Sequence, residues 1–296
     1  MELPESLGWW RSVPGGADWL DRVPRLVAEC AKEWQLRLGL PLTGGNAAVV
    51  VAAESSDERP VVLKLNFPDA ESEHEPDALE FWGGVGAVRL LARDDQRRAL
   101  LLERCLPGTK LWEIADEVEA NRIACRVLRR LWRPAPPESP FRTLELEARR
   151  WVEELPQEWS LLGRPFERRL IDLAVQAAGD LAVSQETLVI VHQDFHGGNV
   201  LRAEQEWLAI DPKPLVGEPA FDAASLLRDR LPELIQDPAP AQRVRRRLDQ
   251  LAEELNLDRE RVRGWGVVHA LAWGMSGQAA KVEEDMVACA RWLADA

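Results

Sequence analysis

Several features that would assign this chain to a common class of protein are missing from its sequence. Tyrosine is absent, lysine occurs five times against 32 arginines, and the four cysteines form no CxxC pair. No histidine stands at metal-ligand spacing from a cysteine. Scattered cysteines of this kind are typical of small core residues in a reducing cytosol, and they exclude a disulfide framework or a zinc ribbon.

Basic charge is also in short supply. Lysine and arginine total 37 against 50 aspartates and glutamates, which gives a net charge of −13. Proteins that track phosphates normally carry a basic surface, so general binding to DNA or RNA is disfavoured. The acidity favours either a cationic small-molecule partner or simple solubility, and both interpretations remain open.

No part of the sequence is apolar enough to predict a membrane span. The longest stretch without Asp, Glu, Lys or Arg covers residues 264–280, contains four glycines, and predicts a buried helix. The N-terminal MELPE has neither the basic nor the apolar region of a signal peptide. We therefore expect a cytoplasmic protein that binds no membrane and is a monomer or a weak dimer.

The length of 296 residues predicts about two lobes, at roughly 150 residues each. In residues 1–104, apolar periodicity predicts N-terminal helices and an antiparallel sheet with one helix inserted after its third strand. The pattern in residues 105–296 is mostly helical. The predicted fold class is therefore α+β. The individual elements that we expect are helices at 1–35, 70–82, 111–132, 143–155, 166–183 and from 219 onward, and strands at 36–43, 47–53, 61–67, 87–92, 99–103, 187–191, 200–203 and 207–210.

One constellation of polar residues carries the chemistry. His192-x-Asp194 is followed after four residues by Asn199, and a predicted hairpin then delivers Asp211. A carboxylate such as Asp194 can orient and deprotonate an acceptor hydroxyl, while the oxygens of Asn199 and Asp211 suit Mg²⁺. The spacing resembles the catalytic and metal-binding segments of the kinase fold. The alternative is that His192 and Asp194 only cap a loop.

Lys64 is the second element of this prediction. Val61, Leu63 and Leu65 share one face of its strand, so Lys64 points to the other face. In a kinase-like lobe the Lys64 ammonium would reach the nucleotide phosphates from a solvent-facing cleft. A glutamate on the following helix would hold it, and Glu75 is preferred over Glu73 for this role.

Two further segments complete the predicted nucleotide site. The turn Gly44-Gly45-Asn46 either covers the phosphates with backbone amides or is an ordinary hairpin turn. The segment from Glu103 to Cys105 connects the lobes, where backbone groups would pair with adenine. No activation segment with Ala-Pro-Glu follows Asp211, and Gln193 stands where protein kinases have arginine, which favours a small-molecule kinase.

The run VHQDFHGGNVLRAEQEWLAIDPKPLVGEPAFDAASLL resembles the aminoglycoside phosphotransferase superfamily, and within it the streptomycin 6-phosphotransferase (aminoglycoside/hydroxyurea antibiotic resistance kinase) group. VVLKLNFPDAESEHEP, FWGGVGAVRLLARD and ALLLERCLPGTKLW are similar to the N-lobe of that group, so the likeness spans about residues 40–230. The resemblance implies a bilobal protein-kinase-like fold with a small antiparallel-β N-lobe and a large α-helical C-lobe.

The resemblance also implies a function. It predicts transfer of the γ-phosphoryl group of Mg-ATP or Mg-GTP to a hydroxyl of a small cationic, streptomycin-like aminoglycoside. The alternatives are a kinase of another acceptor, such as hydroxyurea, a sugar or an amino alcohol, and a catalytically silent nucleotide-binding scaffold. The sequence departs from the family at Gln193-Asp194-Phe195, where Gly-Asp-Leu is more common.

Individual roles follow from the same resemblance. Asp194 matches the catalytic base, Asn199 and Asp211 the Mg²⁺ ligands, Lys64 the phosphate lysine with Glu75 as its partner, and Asp222 the aspartate that braces the catalytic loop. His192 is expected to support the loop.

For the acceptor we expect Glu218, with Asp285 as a weaker candidate. His196 either holds the loop or lines the acceptor site. Trp265 and Trp273, eight residues apart on one predicted helix, are candidates for stacking on a guanidinium group.

Overall fold

The computed structural model describes residues 4–42, 48–276 and 281–296. Within them the chain forms two compact units. One unit runs to Gly108 and also takes in Arg202–Leu208, and the other comprises Thr109–Leu201 and Ala209–Ala296. No signal in the sequence predicts that Arg202–Leu208 belongs to the first unit, because this depends on contacts between residues that are far apart in the chain.

The first unit is an antiparallel sheet with two helices. The bounds are α1 Gly16–Glu33, β1 Arg37–Pro41, β2 Ala48–Glu54, β3 Pro60–Asn66, α2 Glu75–Trp82, β4 Leu90–Asp94 and β5 Ala99–Glu103. A 3-10 helix, Glu5–Ser12, precedes α1. The five strands lie in the order β1-β2-β3-β5-β4, and all neighbours are antiparallel.

The alternation of side chains along β3 separates the core from the site. Leu63 and Leu65 lie in one apolar cluster with α1 residues such as Val23 and Val27. Successive side chains of a strand point to opposite faces, so Lys64 lies on the face away from α1.

Helix α2 begins at Glu75 and is therefore shorter than the predicted helix at 70–82. The Asp69 carboxylate accepts a hydrogen bond from the Ser72 amide at 2.7 Å, and the Ser72 hydroxyl donates to the Phe67 carbonyl. These local bonds compete with a helix before Glu75. Pro76 then takes a position in the first turn, where no amide donor is missed.

The second unit is mainly helical and contains small sheets. The bounds are β6 Pro107–Lys110, α3 Glu117–Leu131, β7 Arg142–Thr143, α4 Leu144–Leu161, α5 Arg168–Val183, β8 Val189–Val191, β9 Val200–Ala203, β10 Glu206–Ala209, β11 Leu215–Gly217, α6 Pro219–Ser225, α7 Leu231–Ile235, α8 Pro240–Leu255, α9 Arg259–Gly274, β12 Met275–Ser276, β13 Lys281–Val282 and α10 Glu284–Ala294, with 3-10 helices at Leu111–Glu113, Gly197–Asn199 and Leu226–Arg228. Strand β11 pairs with β7 in parallel and with β8 antiparallel, and β12 pairs with β13. A further sheet has the strand order β10-β9-β6.

Two predicted helices have different ends in the structure. The predicted helix at 111–132 is divided, because Asp116 caps α3 by accepting hydrogen bonds from the amides of Val118 and Glu119. Helix α4 continues past Pro156, although a proline inside a helix costs about 3 kcal/mol or more. Burial of Trp159 in the last turn favours the continuation.

Mixed helices and antiparallel strands confirm the predicted α+β class. Among the residues that the structure describes, no helix combines the length and the apolar character that a membrane span requires.

Candidate active site

Lys64 and Glu75 form a buried ion pair in the first unit. The Lys64 ammonium lies 2.6 Å and 2.8 Å from the two Glu75 carboxylate oxygens, and Asn66 donates to the same carboxylate at 2.6 Å. Glu73 is exposed, so the geometry selects Glu75 as the partner. Only 4% of Lys64 and 2% of Glu75 are exposed, which corrects the expectation of a solvent-facing lysine.

The structure describes two of the other predicted nucleotide-binding residues, Glu103 and Cys105. Glu103 ends β5, and its carboxylate accepts a hydrogen bond from the Arg89 amide at 2.6 Å. Cys105 is buried, and burial together with Glu103 raises the pKa of its thiol to about 12. Gly44 and Gly45 lie outside the described residues. Adenine pairing by Glu103 and Cys105 stays a prediction.

In the second unit, Asp222 holds the peptide backbone of the predicted catalytic loop. The loop follows β8, and its His192 and Gln193 amides donate to the two Asp222 carboxylate oxygens at 2.9 Å and 2.8 Å. Trp132 donates to the same carboxylate at 3.1 Å. Burial raises the pKa of Asp222 to about 6, although these three donors oppose the shift. Gln193 has a φ of 67°, so the bracing fixes a left-handed residue immediately before Asp194.

Asp194 lies among basic side chains and hydrogen-bond donors. Burial alone would raise the pKa of its carboxyl, but Lys213, His196 and Arg228 outweigh burial and hold the pKa below its usual value. The Asn199 amide nitrogen donates to the Asp194 carbonyl at 3.0 Å, and His196 Nε2 lies 3.8 Å from Asp194 Oδ1. Asp194 is therefore ionised near neutral pH and can accept a proton.

Asn199 and Asp211 are brought together by the hairpin of β9 and β10. The amide of Ile210 donates to the Asn199 carbonyl at 2.9 Å, and Asp211 follows Ile210 directly in the chain. Asp211 has a φ of 58°, a left-handed conformation that aspartate tolerates better than most residues. The structure thus places Asn199 and Asp211 at the same end of the hairpin.

The donor chemistry of Asn199 and Asp211 fits magnesium. The Asn199 nitrogen is engaged with Asp194, so its amide oxygen is the atom left to bind a cation. Mg²⁺ prefers oxygen ligands and is commonly bound by one or two protein groups together with water and substrate phosphates. Among the described residues, no cluster of three or more His, Cys, Asp or Glu side chains forms a metal site, which excludes an all-carboxylate cage there.

His192 supports the loop from inside the unit. Its Nε2 donates to the Ile210 carbonyl at 2.9 Å, which ties the loop to the segment that carries Asp211. Burial lowers the pKa of His192 to about 4. The imidazole is therefore neutral at physiological pH.

Arg228 and His269 were missed in the sequence analysis. Arg228 Nη2 lies 3.7 Å from Asp194 Oδ1, and Arg228 Nε donates to His269 Nδ1 at 2.9 Å. His269 Nε2 donates in turn to the Gln193 carbonyl at 3.3 Å. Asp194 is therefore restrained at two points. Arg228 lies beside its side chain, and His269 holds the carbonyl of the preceding peptide. The two residues are 34 and 75 positions beyond Asp194, and no local motif marks them.

Among the residues predicted to bind the acceptor, Glu218 has partners within the protein. Glu218 is buried, and its carboxylate accepts hydrogen bonds from Arg261 at 2.7 Å and 2.8 Å and from Trp265 at 2.6 Å. This engagement argues against the acceptor-binding role predicted for Glu218. Asp285 is exposed in the first turn of α10, and its role stays a prediction.

The two tryptophans proposed to stack on a guanidinium group have other partners. Trp265 is fully buried against Phe221, so an acceptor cannot reach it. Trp273 stacks on His269 with ring centroids 3.9 Å apart, and the Arg228 guanidinium lies 5.6 Å from its ring. The stacking interpretation was therefore wrong for Trp265. Trp273 packs on His269 and Arg228, the two residues that restrain Asp194.

Comparison with known proteins places the chain among small-molecule kinases. The family model of aminoglycoside/hydroxyurea antibiotic resistance kinases matches residues 33–285. Streptomycin 6-kinase of Streptomyces griseus is 36% identical over 303 residues, covering 99% of this chain and 97% of that protein. Hydroxyurea phosphotransferase of Kitasatospora aureofaciens is 36% identical over 302 residues, covering 99% and 86%.

A solved structure shows the same fold. The crystal structure of choline kinase LicA from Streptococcus pneumoniae superimposes with a TM-score of 0.62, covering 93% of this chain and 100% of that chain. At 13% sequence identity this likeness concerns the fold alone. It confirms the predicted protein-kinase-like architecture.

Proposed function

Because the chain belongs to the aminoglycoside/hydroxyurea antibiotic resistance kinase family, we propose that it inactivates a streptomycin-like aminoglycoside by phosphorylating one of its hydroxyl groups. The chain is an ATP-dependent phosphotransferase with an alcohol group as acceptor. The observation that carries the proposal is the ionised, doubly restrained Asp194 in the loop that also presents Asn199.

Asp194 acts on the acceptor. Its carboxylate orients the acceptor hydroxyl and accepts its proton as the hydroxyl oxygen bonds to the γ-phosphorus of ATP. The bond from the γ-phosphorus to the β,γ-bridging oxygen breaks, and ADP leaves with that electron pair. Because Asp222 fixes the loop backbone and Arg228 faces the carboxylate, little reorganisation is needed when the acceptor binds.

Lys64 and the pair Asn199 and Asp211 act on the nucleotide. The Lys64 ammonium supplies positive charge to the nucleotide phosphates, and Glu75 and Asn66 fix its direction. Asn199 and Asp211 would hold Mg²⁺. When bound, the ion neutralises charge on the phosphate oxygens.

A neutral acceptor is the second candidate. Identity to hydroxyurea phosphotransferase equals that to streptomycin 6-kinase, at 36% each. The net charge of −13 favours the cationic acceptor, because an acidic protein attracts a polycation and a neutral molecule gains nothing from its field. For the aminoglycoside, kcat/KM should therefore fall as salt rises.

A reducing compartment that contains ATP suits this chemistry. The four cysteines are free and buried, and burial raises the thiol pKa of Cys30 and Cys289 to about 11. Such thiols are mostly protonated and react slowly. We propose the cytoplasm as this compartment, and a monomer or weak dimer as the active species.

The proposal is tested with an acceptor panel. The purified protein is incubated with Mg-ATP and with streptomycin, hydroxyurea, choline or a hexose, and products are identified by mass. We expect phosphorylated streptomycin, with ADP formed in equal amount. A protein that phosphorylates hydroxyurea, choline or the hexose but not streptomycin would refute the aminoglycoside assignment while leaving a kinase, and ATP turnover that ignores every acceptor would refute both.

A further inference from the structure

Trp112 is exposed and yet fixed in orientation. It lies in the 3-10 helix Leu111–Glu113, and 42% of the residue is exposed. Its indole nitrogen donates to the Asp229 carboxylate, and the His196 ring stacks on the indole with centroids 5.0 Å apart and an interplanar angle of 16°. An exposed tryptophan usually has rotamer freedom, so these contacts hold a surface ring in one place.

The backbone around Trp112 is held as firmly as its ring. The Arg230 guanidinium donates to the carbonyls of Trp112 and Ile114. Asp229 accepts hydrogen bonds from the Gly197 amide at 2.9 Å and from the Arg230 amide at 3.0 Å. Arg230 has a φ of 52°, a conformation that is unfavourable for a residue with a side chain. The surrounding contacts thus hold the backbone of Arg230 in a strained conformation.

Two glycines of the catalytic loop make room for the indole. A Cβ atom at Gly197 would lie 2.5 Å from Trp112 Cδ1, and one at Gly198 would lie 2.7 Å from Trp112 Cζ3. Neither glycine has a positive φ, so the close approach of the ring is what requires a residue without a side chain. The indole therefore packs on the catalytic loop and keeps the rest of its surface accessible.

The exposed ring is adjacent to the catalytic carboxylate. His196, which stacks on Trp112, has its Nε2 3.8 Å from Asp194 Oδ1. The indole is thus linked through the His196 ring to the group that accepts the hydroxyl proton. Tryptophan is the best aromatic side chain for binding a cation, and guanidinium ions stack on its face. A ring already fixed loses little entropy on binding.

We propose that the exposed surface of the Trp112 indole is a binding subsite for a guanidinium-bearing ring of the acceptor and directs a hydroxyl toward Asp194. The Asp229 carboxylate, which accepts a hydrogen bond from the indole nitrogen, places a negative charge at the edge of the ring and favours the same cationic ligand. The inference rests on the proposed function, since it names how the acceptor is held. Hydroxyurea carries no cation, so the subsite discriminates between the two acceptors.

Kinetics of Trp112→Leu and Trp112→Phe with both acceptors test the subsite. For streptomycin, KM should rise about tenfold in Trp112→Leu, which corresponds to about 1.4 kcal/mol. Trp112→Phe keeps an aromatic face and should give a KM between the wild type and Trp112→Leu. The KM for ATP should stay within about twofold, and so should the KM for hydroxyurea if the acceptor panel shows it to be a substrate. The matched control is Trp9→Leu, because Trp9 is 47% exposed and also stacks on a ring, that of Trp10 at 4.1 Å; it should leave every constant unchanged.

Each other outcome overturns the inference. An unchanged streptomycin KM in Trp112→Leu removes the subsite, and a rise confined to the KM for ATP assigns Trp112 to the nucleotide. Should Trp112→Leu fold poorly, calorimetric binding of streptomycin to Trp112→Phe decides, because affinity equal to the wild type removes the subsite as well. A wild-type protein that does not phosphorylate streptomycin refutes the proposed function itself and is recognised before any variant is made.

Discussion

Removing the Lys64–Glu75 ion pair one partner at a time, and then both together, separates its effect on folding from its effect on catalysis. The variants are Lys64→Met, Glu75→Leu and the double variant. Both side chains are almost fully buried, and the Lys64 ammonium lies within 2.8 Å of both Glu75 oxygens. Each single variant therefore leaves one buried charge without its main counter-charge.

The expected magnitudes follow from that burial. Breaking a buried pair by removing one partner costs about 3–5 kcal/mol, whereas replacing both partners with apolar residues of similar size is often neutral. We expect each single variant to lose about 3 kcal/mol or more of unfolding free energy and the double variant to lose less than either. Asn66 loses its acceptor in both Glu75 variants, which adds about 1–3 kcal/mol there.

The assay combines urea unfolding with steady-state kinetics. All three variants should have strongly reduced phosphoryl transfer, because each lacks the positioned ammonium group, whereas stability should recover in the double variant. Losses of stability that simply add would refute the energetic reasoning. A stable double variant with normal turnover would refute the role of Lys64 in the reaction.

Three further predictions concern the second unit. Asp211→Ala should abolish Mg-dependent binding of ATP, and unchanged Mg-ATP affinity by calorimetry would contradict its assignment as a ligand. Arg228→Gln should lower kcat at least tenfold with the KM for ATP unchanged, Arg228→Lys should recover part of the loss, and Arg243→Gln, a partly buried ion-pair control, should have no effect on kcat. The pKa of buried His192 is lowered to about 4, against about 6.5 when unfolded, so the unfolded state binds more protons in this range. Unfolding free energy should therefore fall as pH drops through it, and a His192→Asn variant with the same pH slope as the wild type would contradict this.

The candidate catalytic centre was predictable where its residues are close in sequence. Asp194 and Asn199 lie five positions apart, and Asp211 follows a single hairpin, so the spacing itself specifies their proximity. The strand of Lys64 was predictable from side-chain alternation. Its burial was not, because the number of neighbours that cover a strand face depends on the packing of the whole unit.

Residues that act through distant contacts were not predictable. Arg228 contacts Asp194, and His269 contacts Arg228 and the Gln193 carbonyl. Both lie on other elements of the second unit, and nothing local distinguishes them from surface arginines or core histidines. Glu218 was misjudged for the same reason, since its partner Arg261 lies 43 positions further along the chain. The late start of α2 at Glu75 could have been predicted from the sequence, because Asp69 and Ser72 have the spacing of a local turn.

The most direct test of the central claim is phosphoryl transfer to streptomycin by the wild type and by Asp194→Asn at saturating Mg-ATP. The wild type should add one phosphoryl group to streptomycin. The variant should be slower by several orders of magnitude with nearly unchanged nucleotide affinity, because the carboxylate acts on the acceptor hydroxyl in the transition state. Near-normal turnover by Asp194→Asn, or a wild type that leaves streptomycin unmodified, would contradict the account.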